Sequence, residues 1–372
     1  MASLLSSWDP SKAAPGAKRY HHNEAFPLVM GGELARFEMA FETWGELNPK
    51  RDNAVLLFCG LSASSHACSH SDDARPGWWE SMIGSGFALD TDRSFIICVN
   101  HLGGCFGSTG PASLNPATQK PYGPEFPPFL LRDMVHAAHA VVRHLGIERL
   151  HAVIGPSLGG MLAFEYGACF PEETARILSI SATGRPGPQS ISFRYVQRQV
   201  IMNDPLWREG WYYAFPDWPV SSMAIARQIG NISYRSRGEW ESRFGRARTG
   251  VGYSFGPDFQ VESYLHHMGN KLANQFDPNS FLFLSKAMDL FSLGYAHPSY
   301  QSGVARIQSQ TLIIGVTTDM LFPIQEQESI YHALLACGAP AEMISLDTPA
   351  GHDAFLVEVD LFTPPIRRFL YA

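Results

Sequence analysis

Short, nearly unbroken apolar runs punctuate the chain, each followed by glycine, proline or small polar residues. They are Ala54 to Cys59 (AVLLFC), Phe95 to Val99 (FIICV), Leu150 to Ile154 (LHAVI), Ile177 to Ile180, and Thr311 to Val316 (TLIIGV). Runs this short and apolar on both faces predict strands buried in the middle of a mostly parallel sheet. Phe37 to Thr43 alternates and predicts an earlier strand, with Gly45 to Pro49 as its turn. Met343 to Leu346 predicts a late one. Leu131 to Leu145 carries apolar residues at helical spacing and stops at Gly146. From about residue 185 to 307 the texture changes. Aromatic and arginine-rich amphipathic stretches, such as Ile191 to Met202 and Phe281 to Leu290, replace the strands. The expectation is an α/β core over residues 1–184 and 308–372, with a helical lid over 185–307. Residues 1–22 read as a loose polar lead-in without a secretion-signal core.

Composition narrows the class. The chain has 372 residues, enough for a large core, with 45% hydrophobic and 17% charged residues. A net charge of −7 argues against nucleic acid as a partner, and no apolar run reaches the length of a membrane span. The six cysteines are scattered without a CxxC pair, which suits buried free thiols in a reducing compartment and hence the cytoplasm.

The chemistry concentrates around Gly155-Pro156-Ser157-Leu158-Gly159-Gly160. An apolar strand runs into this GxSxG turn, and Met161 to Phe164 opens a helical pattern behind it. That is the context of a nucleophile elbow, in which a tight turn exposes the serine hydroxyl above a helix N-terminus. The plainer reading is a glycine-rich turn whose serine caps the helix. A serine nucleophile needs a base and an orienting acid, and in the α/β-hydrolase fold these follow in the order acid, then histidine. Asp319 lies just past the Thr311–Val316 run, and His352 lies in the loop after Met343–Leu346. Asp353 is a rival acid, but adjacency to His352 places it awkwardly for the far ring nitrogen. The loop Gly60-Leu61-Ser62-Ala63 leaves an early strand where this fold draws an oxyanion donor. The backbone amides of Leu61 and Leu158 are therefore the candidate oxyanion hole. The glycine-rich stretch Asn100 to Pro111 is not a P-loop and reads as a pocket wall or, less simply, a phosphate cradle.

With these residues in place, the chain resembles the homoserine O-acetyltransferase family in its wider sense, which includes serine O-acyltransferases. The resemblance runs from about Phe41 to Phe369. It rests on FETWGELN (Phe41–Asn48), GWWESMIGSG (Gly77–Gly86), CVNHLGGCFGSTGPASLNPATQKPYG (Cys98–Gly123), GPSLGGM (Gly155–Met161) and RYVQRQVIMNDP (Arg194–Pro205). ISYRSRGEWESRFGR (Ile232–Arg246), FQVESYLHH (Phe259–His267), FDPNSFLFLSKAMDLF (Phe276–Phe291) and GHDAFLVE (Gly351–Glu358) complete it. The resemblance implies ping-pong acyl transfer from acyl-CoA, a co-substrate, with no permanently bound cofactor and no metal. Ser157 would be the nucleophile, His352 the base and Asp319 its orienting acid. It also implies a small amino-acid acceptor, with Arg227 and Tyr234 on its carboxylate and Asp353 on its ammonium group, and a homodimer. GLSASSHA (Gly60–Ala67) and DTPAGHDAFLV (Asp347–Val357) look more like the serine-directed members. A succinyl donor would need a cation, for which Arg185 and Arg194 are candidates. Pro156 departs from the alanine or asparagine often found before the nucleophile. Homoserine O-acetylation, an esterase or thioesterase resolved by water, and a catalytically silent binding protein are the competing readings.

Overall fold

The computed structural model describes residues 9–250 and 255–372. Its centre is an eight-stranded sheet. The strands are β1 (Lys18–His22), β2 (Phe37–Trp44), β3 (Ala54–Phe58), β4 (Phe95–Val99), β5 (Ala152–Pro156), β6 (Arg176–Ile180), β7 (Gln310–Val316) and β8 (Ala341–Leu346). In space they run β1-β2-β4-β3-β5-β6-β7-β8. β1 and β2 are antiparallel, β2 is antiparallel to β4, and every later pairing is parallel. This is the α/β-hydrolase architecture.

The central strands are buried on both faces, which is why they read as unbroken apolar runs. Along β3, Leu56 and Phe58 face one core while Val55 and Leu57 face the other. The first core is closed by α1 (Leu131–His144) and α2 (Leu158–Cys169) through Met134, Val141, Met161 and Leu162. The second is closed by Phe362, Ile366 and Leu370, one stripe of the C-terminal helix Val359–Tyr371, together with Trp79 and Met82.

Strand limits shift by a residue or two, as at β8, which begins at Ala341 rather than Met343, and one strand of the central sheet went unread. β5 begins at Ala152 rather than Leu150, because Leu150 only bridges singly to Thr174. Lys18 to His22, inside the stretch read as a loose lead-in, forms edge strand β1 and pairs with Phe37 to Phe41. An edge strand packs one face at most, so KRYHH carries no apolar run.

Between β6 and β7 the chain leaves the sheet. It forms α3 (Pro188–Met202), α4 (Val220–Tyr234), α5 (Arg237–Arg243), α6 (Gln260–Ala273), α7 (Pro278–Leu290) and α8 (Tyr300–Val304). α4 packs on α3 and α6, and α3 also meets α7. Proline at the first helical turn starts α3 and α7, and Asp277 caps α7 by accepting from the Ser280 amide. After β7 come α9 (Ile324–Ala336), α10 (Ala354–Val357) and α11, the C-terminal helix Val359–Tyr371.

Candidate active site

At the carboxyl end of β5 the chain turns into α2 on Ser157, whose backbone sits at φ 57° and ψ −122°. A non-glycine residue with positive φ is strained and must be held by its surroundings. The Ser157 amide donates to the Ile180 carbonyl of β6 at 2.9 Å, which ties the turn to the sheet. Glycine is required on either side for close approach. A Cβ on Gly159 would meet the Phe58 carbonyl, and one on Gly155 would meet the Gly159 backbone.

The Ser157 hydroxyl lies 2.9 Å from His352 Nε2, and His352 Nδ1 lies 2.8 Å from Asp319 Oδ2. All three side chains are buried. Asp319 follows β7, and its other oxygen accepts the Leu321 and Phe322 amides at 2.8 and 2.9 Å. Those two bonds fix the carboxylate so that its free oxygen meets the ring. Burial works against a charged His352, but the Asp319 carboxylate outweighs it and raises the imidazole above its usual value. The Leu61 and Leu158 amides both lie at the serine's end of the sheet, after β3 and at the first turn of α2. Neither donates to an acceptor among the described residues.

Ser157 and His352 open into a cavity of about 620 Å³ roofed by α3, α4 and α6. Leu61, Arg227, Tyr234 and Asp353 line it, as do Arg194 and Gln197 of α3 and Met268 and Lys271 of α6. Arg227 Nη1 is 3.5 Å from the Tyr234 hydroxyl and 3.4 Å from Ser62 Oγ, with its guanidinium 5.1 Å over the Tyr234 ring. Its Nε is buried with no partner among the described residues. Asp353 does not orient His352; its Oδ2 is 3.6 Å from Arg235 Nη2. Burial raises the Asp353 carboxyl, while His352, Arg227 and Arg235 oppose the rise. One cavity thus holds the serine together with a cation and a carboxylate.

The two arginines weighed for a donor carboxylate part company. Arg185 is exposed and lies 4.9 Å over the Tyr300 ring, outside the cavity. Arg194 is buried in the cavity wall. Asp289 takes its Nε at 2.5 Å, and Nη1 is left without a partner among the described residues. The Asn100–Pro111 loop mostly folds on itself and against β2, with Gly103 N to the Thr109 carbonyl and Thr109 N to the Glu38 carbonyl. From this loop Phe106 reaches the cavity. Gln197, Met268 and Lys271 were not singled out in the sequence. Gln197 lies inside the Arg194–Pro205 block and Met268 and Lys271 just past the Phe259–His267 block, and no local pattern marks any of the three as facing a cavity.

A family profile described as the α/β hydrolase fold matches residues 53–359. A serine O-succinyltransferase of Xylella fastidiosa is 45% identical over 96% of this chain and 98% of its own length. A homoserine O-acetyltransferase of Symbiobacterium thermophilum is 46% identical over 92% of each. Among solved structures, the homoserine O-acetyltransferase of Bacillus anthracis superposes with a TM-score of 0.89 at 25% identity, over 96% of this chain and 98% of that one. Esterase E22 superposes with a TM-score of 0.88 at 27% identity, over 96% of this chain and all 100% of its own.

Proposed function

We propose an acyl-transfer mechanism for this chain from the premise that it belongs to the α/β-hydrolase fold family and, within it, to the serine and homoserine O-acyltransferases. It is an O-acyltransferase of amino-acid biosynthesis. The observation that carries the mechanism is the hydrogen-bonded line Ser157–His352–Asp319, ending in a cavity that also holds Arg227 and Asp353.

His352 Nε2 takes the Ser157 proton as Oγ attacks the thioester carbonyl of an acyl-CoA. The amides of Leu61 and Leu158 hold the tetrahedral oxyanion. Collapse breaks the carbon–sulfur bond, the CoA sulfur leaves with the proton from His352, and Ser157 carries the acyl group as an ester. The acceptor's hydroxyl then gives its proton to His352 and attacks that ester. Collapse returns the proton to Ser157 Oγ and frees the O-acyl amino acid. Arg227 and the Tyr234 hydroxyl face the acceptor carboxylate, and Asp353 faces its ammonium group. No step calls on a metal or a resident cofactor.

L-Serine as acceptor and succinyl-CoA as donor are the preferred pair, the acceptor from the Gly60–Ala67 and Asp347–Val357 stretches, which look like those of serine-directed members. The Nη1 of Arg194, without a partner among the described residues, offers a buried cation to the donor's distal carboxylate. Acetyl transfer to homoserine is the nearest alternative, since relatives of both names match equally well. Hydrolysis of the acyl-enzyme is a further one, favoured by the likeness to esterase E22. Exposed apolar residues on α3 and α4, Tyr195, Val196, Ile225 and Ile232, support a homodimer formed through the helical segment. No helix among the described residues is long and apolar enough to cross a membrane. Six free cysteines, four of them buried, suit a reducing cytoplasm.

Free-thiol release from succinyl-CoA or acetyl-CoA, each with serine or homoserine, tests the reading. Release should depend on an amino acid and vanish in Ser157→Ala. With the acceptor withheld, intact mass should show the acyl adduct on Ser157. Equal release without any amino acid would replace the transferase with a hydrolase.

A further inference from the structure

At the Gly60–His66 loop lies a cluster of buried Glu42, buried His66 and half-buried His70 to which the acyl-transfer steps assign no role, although His66 also lines the cavity. Glu42 of β2 receives His66 Nδ1 and His70 Nε2, each at 2.8 Å, on the same oxygen Oε2. Its Oε1 accepts the Ser65 hydroxyl at 2.6 Å. His66 Nε2 lies 2.7 Å from the Arg75 carbonyl. The ligand atoms of Glu42, His66 and His70 lie within 4.8 Å of one another, so the cluster has the spacing of a metal site as well as of a hydrogen-bond network.

Proton counting separates the two. A carbonyl oxygen only accepts, so His66 Nε2 must carry a hydrogen. A carboxylate also only accepts, so Nδ1 must carry one as well. Turning the ring over would put carbon atoms against both acceptors. His70 differs: the Asp72 amide donates to its Nδ1 at 3.2 Å, which leaves Nε2–H for Glu42 in an ordinary neutral tautomer. A metal on His70 Nε2 would force that hydrogen onto Nδ1, against the Asp72 N–H. An imidazole with two donors is an imidazolium.

We infer that His66 is a positioning residue held as an imidazolium, whose charge fastens the loop carrying Leu61 to β2 and keeps that amide aimed at the oxyanion. The inference rests on the reading of Leu61 as an oxyanion donor. The same loop is tied at two further points. The Ser65 amide donates to Asn100 Oδ1 at 2.5 Å, and Trp78 Nε1 donates to the Ser64 carbonyl at 2.9 Å. Neither of these two bonds involves a charged group, and the Ser65 hydroxyl reaches the Glu42 carboxylate as a neutral donor, so the loop's own positive charge on Glu42 comes from His66.

The charged groups facing His66 are Glu42 from β2 and, on its own loop, Asp73 at 3.8 Å from Nδ1. The Arg75 guanidinium is turned onto Asp73 at 2.5 Å, and His70 faces the ring as a neutral imidazole. Burial opposes the imidazolium, and the hydrogen bonds to Glu42 and to the Arg75 carbonyl outweigh it, so His66 is raised. The bridge's contribution is therefore fully present below the ring's ordinary 6.5. It is lost as pH rises through the raised value, where a bare Nδ1 lone pair would face the carboxylate.

Nitrogen NMR of protein labelled at histidine tests this, with the His66 ring signal identified by its loss in His66→Gln. Both ring nitrogens protonated at neutral pH is the expected result, and a neutral tautomer would overturn the inference. So would one equivalent of divalent metal in the purified protein that disappears in Glu42→Gln, which would make the cluster a metal centre. In kinetics, His66→Gln should lower kcat about 100-fold with the donor and acceptor KM unchanged, as expected for a misplaced catalytic group. It should also abolish the fall of kcat at alkaline pH. A variant that keeps the wild-type alkaline fall would remove the link to the loop. The charge state is read without turnover, so failure of the acyl-transfer reading leaves the NMR result interpretable.

Discussion

The Ser157 hydroxyl meets His352 Nε2 at 2.9 Å across 195 residues of sequence. Only the neutral ring can accept the serine proton, and the Asp319 carboxylate, against the opposing effect of burial, leaves His352 raised above 6.5. Activity therefore rises with pH through a value higher than that. The stability contributed by the His352–Asp319 pair has the opposite sign: it is fully present below 6.5 and is lost as pH rises through the raised value. The profile of kcat/KM against pH should show an acid limb above 6.5 while thermal stability declines over the same window. An acid limb below 6.5 would contradict the assignment of His352 as the base.

Asp319→Asn keeps an acceptor for the Leu321 and Phe322 amides but presents a different partner to His352 Nδ1. The ring then favours the tautomer with hydrogen on Nε2, which cannot take a proton from Ser157. The expected loss in kcat is about 10⁴-fold, the scale found when a triad carboxylate is made an amide. Steady-state kinetics on the folded variant checks it, and a loss of only a few-fold would move the orienting role elsewhere.

Gly159→Ala should lower stability rather than chemistry alone. The added methyl points at the Phe58 and Cys59 carbonyls, which are backbone and cannot rotate away. Overpacking of this kind costs about 3 kcal/mol. Denaturant unfolding of the variant measures the cost, and an unchanged midpoint would mean that α2 can back away from β3 freely.

The central sheet was readable because β3, β4, β5 and β7 are buried on both faces and carry unbroken apolar runs. β1 escaped because its contribution is backbone pairing at an edge, with polar side chains left outside. That Ser157, Asp319 and His352 would meet was legible from motif and order, since each follows a strand end. Arg227 and Tyr234 came only from the resemblance to a family, because an arginine in an amphipathic helix has no local signature. The Glu42–His66–His70 cluster went unread for a related reason. Its residues sit on a strand and a loop whose meeting only the fold reveals, although the pair of histidines spaced four apart was a usable hint.

Asp353→Asn should raise the acceptor KM and leave the donor KM alone, because the carboxylate faces the cavity rather than the imidazole nitrogen that Asp319 holds. Burial raises the wild-type Asp353 carboxyl, so acidification protonates it early and weakens binding of an ammonium group. Acceptor KM should accordingly climb at acid pH before donor KM does, and this dependence should flatten in the variant. Equal movement of both constants would mean that the ammonium group is held by another residue.

Arg194→Lys separates donor recognition from folding. Arg194 and Arg198 share Asp289, with Nε of the first and Nη2 of the second at 2.5 Å from its two oxygens. Removing the charge altogether would leave Asp289 with a single partner and confuse packing with recognition, whereas lysine keeps a cation near it. A lysine that reaches Asp289 has no second N–H edge to spare, whereas Arg194, a residue of the cavity wall, keeps Nη1 without a partner among the described residues. If that edge meets the distal carboxylate of a succinyl group, kcat/KM for succinyl-CoA falls about tenfold, the scale of one lost charge-assisted hydrogen bond. The value for acetyl-CoA, which has no distal charge, should stay near wild type, so the ratio of the two donors is the quantity to measure. A parallel fall for both donors would show that Arg194 shapes the cavity without reading the acyl group. A preference for acetyl-CoA already present in the wild type would remove succinyl as the donor and leave the Nη1 edge to the acceptor's side of the cavity.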